Sequence, residues 1–80
     1  MPELADDVKE LARLLVDQPD EVEVHVPEGR RSGVLELKVA PGDLGKVIGR
    51  QGRTARAMRT LLETREDRRG VRHELEILED

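Results

Sequence analysis

Three short segments of the chain alternate apolar and polar residues, and this pattern constrains the fold more than any other feature. Their apolar positions are Val22, Val24 and Val26, then Leu35, Leu37 and Val39, then Val71, His73, Leu75 and Ile77. Successive side chains of a strand point to opposite faces, so each segment predicts a strand with one buried face. Helices can then cover only one side of the sheet. The sequence therefore predicts an α+β domain of two layers.

A helical repeat precedes the first of these segments. Apolar residues recur every three or four positions at Leu4, Val8, Leu11 and Leu15. This spacing predicts an amphipathic helix from about Glu3 to Asp17, and Pro19 then prevents its continuation. Between the first two strands, residues 27–33 have the composition of a turn, so the two strands are expected to form a hairpin.

Two further helices are predicted between the second and third strands. The first is short and contains Leu44 and Val47, after Pro41 and Gly42 have ended the strand. The second runs from about Arg53 to Asp67, with Arg68-Arg69-Gly70 at its end. Its buried side is expected to consist of Ala55, Ala57, Met58, Leu61 and Leu62. The predicted order is α-β-β-α-α-β, with a three-stranded sheet and three helices on one face.

Length and composition exclude several classes of protein. The 80 residues suffice for one small domain, residues 1–80, with a thin core. Cysteine is absent, which excludes disulfides, thiolate metal sites and a cysteine nucleophile. Phe, Tyr and Trp are absent too, so nucleic-acid binding cannot rely on stacking against aromatic rings. No apolar run is long enough for a membrane helix or a signal peptide, so we expect a cytoplasmic protein with no membrane partner.

Charge is distributed unevenly along the chain. The formal net charge is −4, yet the segment from Asp43 to Arg59 contains a single acidic residue. Its basic residues are Lys46, Arg50, Arg53, Arg56 and Arg59. For a phosphate ligand the local distribution of charge matters more than its sum. A polyanion is therefore the expected ligand of this segment.

Two glycines three positions apart lie between the two central helices, in the segment Gly49-Arg50-Gln51-Gly52. Glycine permits positive φ and has no Cβ, so a sugar–phosphate chain can approach the backbone closely. The following helix would direct its free N–H groups and the positive end of its dipole to the same place. Arg50 and Arg53 would add positive charge. We expect Arg53 and Arg56 to lie nearer the ligand than Arg59. Arg59 and Arg65 are expected instead on a solvated helix face, paired with acids of the same helix.

The segment Val47-Ile48-Gly49-Arg50-Gln51-Gly52 resembles the signature loop of KH domains. The order of elements resembles the type II form of that fold, and the whole chain is similar to the KhpA family of small bacterial single-domain KH proteins. The resemblance implies a groove that holds about four nucleotides of single-stranded RNA. Its walls would be residues 46–56 and 71–75, and residues 67–70 would form the variable loop. The implied contact residues are Lys46, Val47, Ile48, Gly49, Arg50, Gln51, Gly52, Arg53, Thr54 and Arg56.

The same resemblance implies a cellular role. Such proteins act as RNA chaperones or post-transcriptional regulators, with links to cell elongation and envelope homeostasis. Some form a homodimer, or a heterodimer with a second KH protein of the KhpB type. No cofactor is implied, and no enzymatic activity is expected.

Other interpretations of the same residues are weaker. Gly45-Lys46 lacks the glycine and the hydroxyl residue of a phosphate-binding P-loop, because Ala40 and Val47 occupy those places. His25 is expected in solvent and His73 at the edge of the core, and no cluster of ligands joins them into a metal site. Ser32 has no neighbouring base and acid that could make it a nucleophile.

Two alternatives to RNA binding stay open. The acidic net charge and thin core are also typical of a protein-interaction or dimerisation module whose nucleic-acid groove is vestigial. Single-stranded DNA is a possible ligand as well, since contacts to a 2′-hydroxyl group cannot be deduced from sequence.

Overall fold

The structure is a computed structural model that describes residues 2–27, 33–65 and 73–79. Three α-helices and three β-strands follow one another in the predicted order. The helices are α1 (Pro2–Leu15), α2 (Leu44–Ile48) and α3 (Arg53–Glu63). The strands are β1 (Glu23–His25), β2 (Val34–Lys38) and β3 (Glu74–Ile77). Short 3-10 helices span Pro19–Glu21, Pro41–Asp43 and Arg50–Gly52.

The three strands form one mixed sheet in the order β1-β2-β3. β1 runs antiparallel to β2, with Val24 opposite Leu37. β3 runs parallel to β2, with Leu75 opposite Leu35. Parallel neighbours need a long crossover connection, and α2 and α3 provide it here. This topology places α3 beside β3, which is an edge strand of the described sheet.

The helices cover one face of the sheet, as predicted. The alternating residues Leu35 and Leu37 of β2 are fully buried, and Leu75 of β3 is 6% exposed. α1 packs on β1 and β2, and α3 packs on β3. Glu36 and Lys38 of β2 point to the opposite face, because side chains alternate along a strand. The described core consists of Leu4, Val8, Ala12, Val22, Leu35, Leu37, Val39, Val47, Met58, Leu62 and Leu75.

A buried carboxylate connects the end of α1 to the start of α2. The side chain of Asp43 is 2% exposed. Its two oxygens accept hydrogen bonds from the backbone N–H groups of Asp17, at 3.2 Å, and Gln18, at 3.0 Å. Hydrogen bonds to a charged acceptor are stronger than those between neutral groups. Asp43 therefore holds the chain after α1 against the helix that leads into the glycine loop.

Three predicted core positions are wrong. Val26 is 38% exposed because β1 ends at His25, so Val26 lies beyond the ladder that buries Val24. Leu61 is 49% exposed and Ala57 is exposed too. The buried side of α3 is narrower than predicted and consists of Ala55, Met58 and Leu62.

Several other predictions lie outside the described residues. These are the turn at residues 28–32, the segment Arg68-Arg69-Gly70, the variable loop at residues 67–70, and the strand position of Val71. The helix predicted to reach Asp67 is shorter than expected, because α3 ends at Glu63 and Thr64 is its C-cap. Among the described residues, the prediction for the histidines is confirmed, since His25 is exposed and His73 is 2% exposed. No described helix has the length and apolar character needed to cross a membrane.

Candidate nucleic-acid interface

The backbone between α2 and α3 takes conformations that suit glycine. Helix α2 ends at Gly49, which has φ 78° and ψ 170°. Gly52 follows with φ 74° and ψ 14° and is the N-cap of α3. Gln51 is the only described residue other than glycine with positive φ, at 57°. Conformations of this kind are rare for residues with a Cβ, so the two glycines allow the chain to turn sharply between the helices.

Gly49 is also constrained by its neighbour Thr54 in the first turn of α3. A Cβ at position 49 would lie 2.8 Å from the Thr54 Cβ and 2.9 Å from its backbone nitrogen, and it would overlap the Thr54 hydroxyl. A Cβ at position 52 would have no atom within 4 Å. Gly49 is therefore required by packing and conformation together, whereas Gly52 is required by conformation alone. The surface of the loop above Gly52 is left bare.

The side chains of the loop are exposed and carry positive charge. Arg50, Gln51 and Arg53 are all exposed, and Arg53 Nη2 donates a weak hydrogen bond of 3.4 Å to Gln51 Oε1. Within the described ranges, no acidic side chain forms an ion pair with Arg50, Arg53 or Arg56. No side chain caps the N-terminus of α3 either. Positive charge and helix N–H groups thus face solvent at the same place, which favours an anionic ligand.

The residues of α2 differ in their access to a ligand. Lys46 is exposed and forms an ion pair of 3.3 Å with Asp17, on the side of α1. Val47 is fully buried, so in this conformation its side chain anchors α2 in the core and cannot contact a ligand. Ile48, Gly49, Gly52 and Thr54 are half-buried. Of the residues predicted to touch RNA, only Val47 is closed to solvent.

A row of residues along one side of α3 includes two that lie near the edge strand β3, Arg59 and Glu63. Arg59 Nε donates a hydrogen bond of 3.3 Å to the backbone oxygen of Leu75. Gly52, Arg56, Arg59 and Glu63 are spaced by four, three and four residues, and this spacing places them on one helix face. Arg59 lies in this row farther from the loop than Arg56, and its expected position farther from the ligand stays a prediction. The helical period alone places these residues on one side of α3. Only the packing of α3 shows that this side includes residues near β3.

Two residues of the row, Arg59 and Glu63, line a cleft between α3 and β3. The cleft has a volume of about 370 Å³, and its described lining residues are Arg59, Glu63, His73, Glu74 and Leu75. One predicted wall of the groove, residues 46–56, lies nearer the loop than this cleft. Of the other predicted wall, residues 71–75, the structure describes residues 73–75, and these line the cleft. Glu63 was not predicted as a site residue, and Glu74 was predicted only as part of the wall formed by residues 71–75. Glu63 could have been found from sequence only if the side of α3 that faces β3 had been known.

One basic residue just beyond the end of α3 does not line this cleft. Arg65 was expected to pair with nearby acids of its own helix. It forms instead an ion pair of 3.1 Å with Asp7 of α1. Both partners are about half-exposed, so the pair contributes little to stability. The described residues include no group of three or more side chains suited to hold a metal ion.

A helix–glycine-loop–helix unit packed on one face of a mixed three-stranded sheet defines a KH-type domain. In agreement with this, the family model described as "KhpA/KhpB, KH domain" matches residues 5–77. The chain therefore belongs to the KhpA/KhpB family of KH domains.

Three relatives support this assignment. The protein of Aquifex aeolicus is 51% identical over 99% of this chain and all of its own length. That of Caldanaerobacter subterraneus is 60% identical over 69% of this chain and 73% of its own. That of Borreliella burgdorferi is 49% identical over 86% of this chain and 84% of its own. All three are named RNA-binding protein KhpA. No solved structure matches the chain significantly.

Proposed function

We propose that this protein binds single-stranded RNA, with the backbone of the RNA held at the loop Gly49–Gly52 and its bases directed into the cleft between α3 and β3. The observation that carries the proposal is the combination of bare backbone at the loop with exposed arginines that no described acid neutralises. Loops of this kind clamp about four nucleotides in KH domains. The names of the relatives support RNA as the ligand.

The side chains that we assign to this function have different roles. Arg50, Arg53 and Arg56 supply charge to the phosphates, and Gln51 is a polar group at the tip of the loop. Gly49, Gly52 and Thr54 shape the backbone, whereas Lys46 and Ile48 border the approach to it. Val47 acts only by fixing α2 in the core. Backbone contacts supply most of the affinity, so sequence specificity is low.

The proposed role is binding rather than catalysis. A protein that grips RNA through its backbone can act as an RNA chaperone or as a post-transcriptional regulator, and we propose such a role here. We also propose a link to cell elongation and envelope homeostasis. This part of the proposal is supported only by the membership of the chain in the KhpA/KhpB family. Because the ligand is RNA, we keep the cytoplasm as the proposed location.

The double variant Arg50→Asp and Gln51→Asp tests the loop. Aspartate tolerates the left-handed conformation that Gln51 adopts, so the loop can keep its shape while it repels phosphate. We expect the affinity for a fluorescently labelled single-stranded octanucleotide to fall at least tenfold, from the loss and reversal of charge. Fluorescence anisotropy measures the affinity, and far-UV circular dichroism checks that the variant is folded.

A matched control changes the net charge by the same amount elsewhere. Arg13→Asp with Lys9→Gln also lowers the charge by three units, but both positions are on α1. RNA affinity should be nearly retained in this variant. Equal losses in both variants would show that only net charge matters, and unchanged binding in the loop variant would refute the proposal. A competition with DNA of the same sequence tests the choice of RNA.

A second candidate function is protein interaction, and exposed apolar side chains favour it. Leu14 is 81% exposed, Leu15 40% and Leu11 36%, all near the end of α1. On the outer side of α3, Leu61 and Ala57 border a shallow apolar hollow. We propose that these leucines contribute to a homodimer, or to a heterodimer with a KhpB-like protein. Pairing would raise the RNA affinity of a domain that lacks aromatic side chains.

Sedimentation equilibrium of the wild type and of Leu14→Glu tests this candidate. A charged residue at the most exposed leucine should weaken self-association without unfolding the domain. A wild type that stays monomeric at all concentrations excludes the homodimer, and mixing with a KhpB-like protein then tests the heterodimer. A dimer that has no RNA affinity at low salt would favour interaction as the sole function.

A further inference from the structure

The cleft between α3 and β3 contains an unusual arrangement of two opposite charges. Arg59 and Glu63 are one helical turn apart, a spacing at which such side chains commonly form an ion pair. No such pair forms here, and Arg59 Nε donates instead to the backbone oxygen of Leu75. Within the part of the chain that the structure describes, no side chain forms an ion pair with the Glu63 carboxylate. A donor and an acceptor therefore lie side by side in the cleft.

The bond to Leu75 orients Arg59 without using all its donors. A guanidinium group has five N–H donors in a fixed planar fork. The Nε–H group is directed at β3, so the Nη groups are left to meet an acceptor in the cleft. Because one end of the guanidinium is held, less side-chain entropy is lost when a ligand binds. Arg59 thus presents a donor in a defined direction.

The acids of the cleft determine which part of RNA can enter it. Glu63 and Glu74 both line the cleft and are both exposed. Two carboxylates repel a phosphate group, so this end of the interface does not continue the phosphate track of the loop. They accept hydrogen bonds from N–H groups instead. The volume of about 370 Å³ is near the lower limit of ligand clefts, as suits one base.

We propose that this cleft binds a guanine base, with the Glu63 carboxylate accepting from the N1–H and N2–H groups and Arg59 donating to O6. Guanine is the base that presents two adjacent donors next to an acceptor on one edge. A carboxylate matches the two donors with its two oxygens, and a guanidinium group one turn away matches the acceptor. The proposal rests on the proposed function and adds a base preference to it.

The other bases fit this pair less well. Uracil has one N–H between two carbonyl oxygens, so the second carboxylate oxygen would face a carbonyl. Adenine and cytosine offer an amino group beside a ring nitrogen that is an acceptor, which would also face a carboxylate oxygen. Each therefore leaves a repulsive contact where guanine makes a second hydrogen bond.

The distance between loop and cleft is compatible with one short strand of RNA. From Gly52 to Glu63 the row extends over eleven residues, or about 16 Å at ~1.5 Å per residue. This length is within the reach of the four or so nucleotides that a KH loop clamps. One nucleotide can thus have its phosphate at the loop while another, further along, places its base between Arg59 and Glu63.

Binding to uridine octanucleotides that contain a single guanosine tests the preference. Guanosine is moved through each position in turn, and the affinity is compared with that of the all-uridine strand by fluorescence anisotropy. At the best position we expect guanosine to improve the affinity roughly fivefold to tenfold, the lower part of the range for a two-bond base contact. Inosine, which lacks the N2 amino group, should lose most of this gain. Single substitutions avoid the self-association of guanosine-rich strands.

The variants Glu63→Gln and Arg59→Lys locate the preference in the cleft. Glutamine has one acceptor and adds donors that face those of guanine, so Glu63→Gln should abolish the preference for guanosine over uridine. Arg59→Lys keeps the charge but not the planar fork, and should reduce the preference. Glu21→Gln, at an exposed acid on the short helix before β1, is the matched control and should keep the preference intact.

The outcomes separate this proposal from the proposed function. If all strands bind equally well, or if Glu63→Gln keeps the guanosine preference, the assignment of the cleft is overturned while RNA binding at the loop stands. If no strand binds to the folded wild type, both are overturned. A salt dependence that is the same for wild type and Glu63→Gln would agree with a base contact, since salt mainly affects phosphate contacts.

Discussion

At the scale of single residues, Gly49 determines the shape of the loop through its contact with Thr54. With φ 78° and ψ 170°, its backbone lies in a region that is almost restricted to glycine. The threonine that occupies the space of a Cβ belongs to the first turn of α3. The end of α2 and the start of α3 are thus packed closely, with the Thr54 side chain against the bare Cα of Gly49.

The variant Gly49→Ala should destabilise the domain by about 3 kcal/mol or more, since the strained backbone and the overlap with Thr54 both raise the free energy of the folded state. Gly45→Ala is the matched control in α2, because a Cβ there meets nothing within 4 Å. That change should be neutral or stabilising by about 0.5–1 kcal/mol, as expected for glycine in a helix.

Urea denaturation followed by circular dichroism at 222 nm measures both variants of this pair, since the chain has no aromatic residue for fluorescence. An equal stability of Gly49→Ala and Gly45→Ala would contradict the role assigned to the contact with Thr54.

At the scale of elements, Asp43 connects α1 to the helix–loop–helix unit. Its carboxylate satisfies two backbone N–H groups just after α1 ends, and it is buried. Asp43→Ala leaves both donors without this acceptor, which should cost about 2–3 kcal/mol. Asp43→Asn keeps one acceptor oxygen and should cost less, about 1 kcal/mol. Thermal unfolding measures the order of the three stabilities, and an alanine variant as stable as the wild type would exclude this role.

The adjacent leucines of α3 make a second comparison between elements. Leu62 is 4% exposed and Leu61 is 49% exposed. Truncation of Leu62 to alanine removes buried apolar contacts and should cost about 2–4 kcal/mol. The same change at Leu61 should cost less than about 1 kcal/mol, because half of this side chain is already in water. Chemical denaturation of both variants checks the difference, and the opposite order would mean that α3 is rotated.

These leucines also show what could be predicted from the sequence. Alternation in the strands identified Leu35, Leu37 and Leu75 as core residues, because a strand with a period of two has only one choice of buried face. A helix can bury any of several neighbouring faces, depending on its rotation about its own axis. From sequence alone, Ala57 and Leu61 are therefore compatible with the buried side of α3, and only the packing of the neighbouring elements shows that they are exposed. For the same reason Glu63 was not recognised as a site residue.

The loop was easier to predict than the cleft. Its features are local in the chain, since the glycines at 49 and 52 and the arginines around them are neighbours in sequence. The cleft combines Glu63 of α3 with Glu74 of β3, and their proximity depends on the parallel pairing of β3 with β2. No pattern of neighbouring residues in the sequence predicts that pairing.

At the scale of the whole molecule, charge is separated between the ends of the interface. The chain has a formal net charge of −4, while Arg50, Arg53 and Arg56 face solvent near the loop. At the other end of the interface, Glu63 and Glu74 line the cleft between α3 and β3. Long-range repulsion by the acidic chain should thus discourage nonspecific contact of RNA with other surfaces.

Salt dependence measures how many phosphates this interface neutralises. If the three arginines each contact one phosphate, log K should fall with log salt with a slope of about −2, at roughly 0.7 per contact for a single strand. Arg56→Ala should reduce the slope by about 0.7. Titrations of an octanucleotide between about 50 and 200 mM salt give the slope. A slope near zero would mean that phosphates are not the main contact.

The hydrogen bond between Arg59 and Leu75 has a consequence for solubility. β3 is an edge strand, and unpaired backbone groups at such an edge can recruit a strand from another molecule. A guanidinium group bonded to that edge puts a positive charge where an incoming strand would have to pair. The side chain that we assign to base recognition should thereby also oppose pairing of this edge with a strand of another molecule, so its replacement is expected to affect both properties.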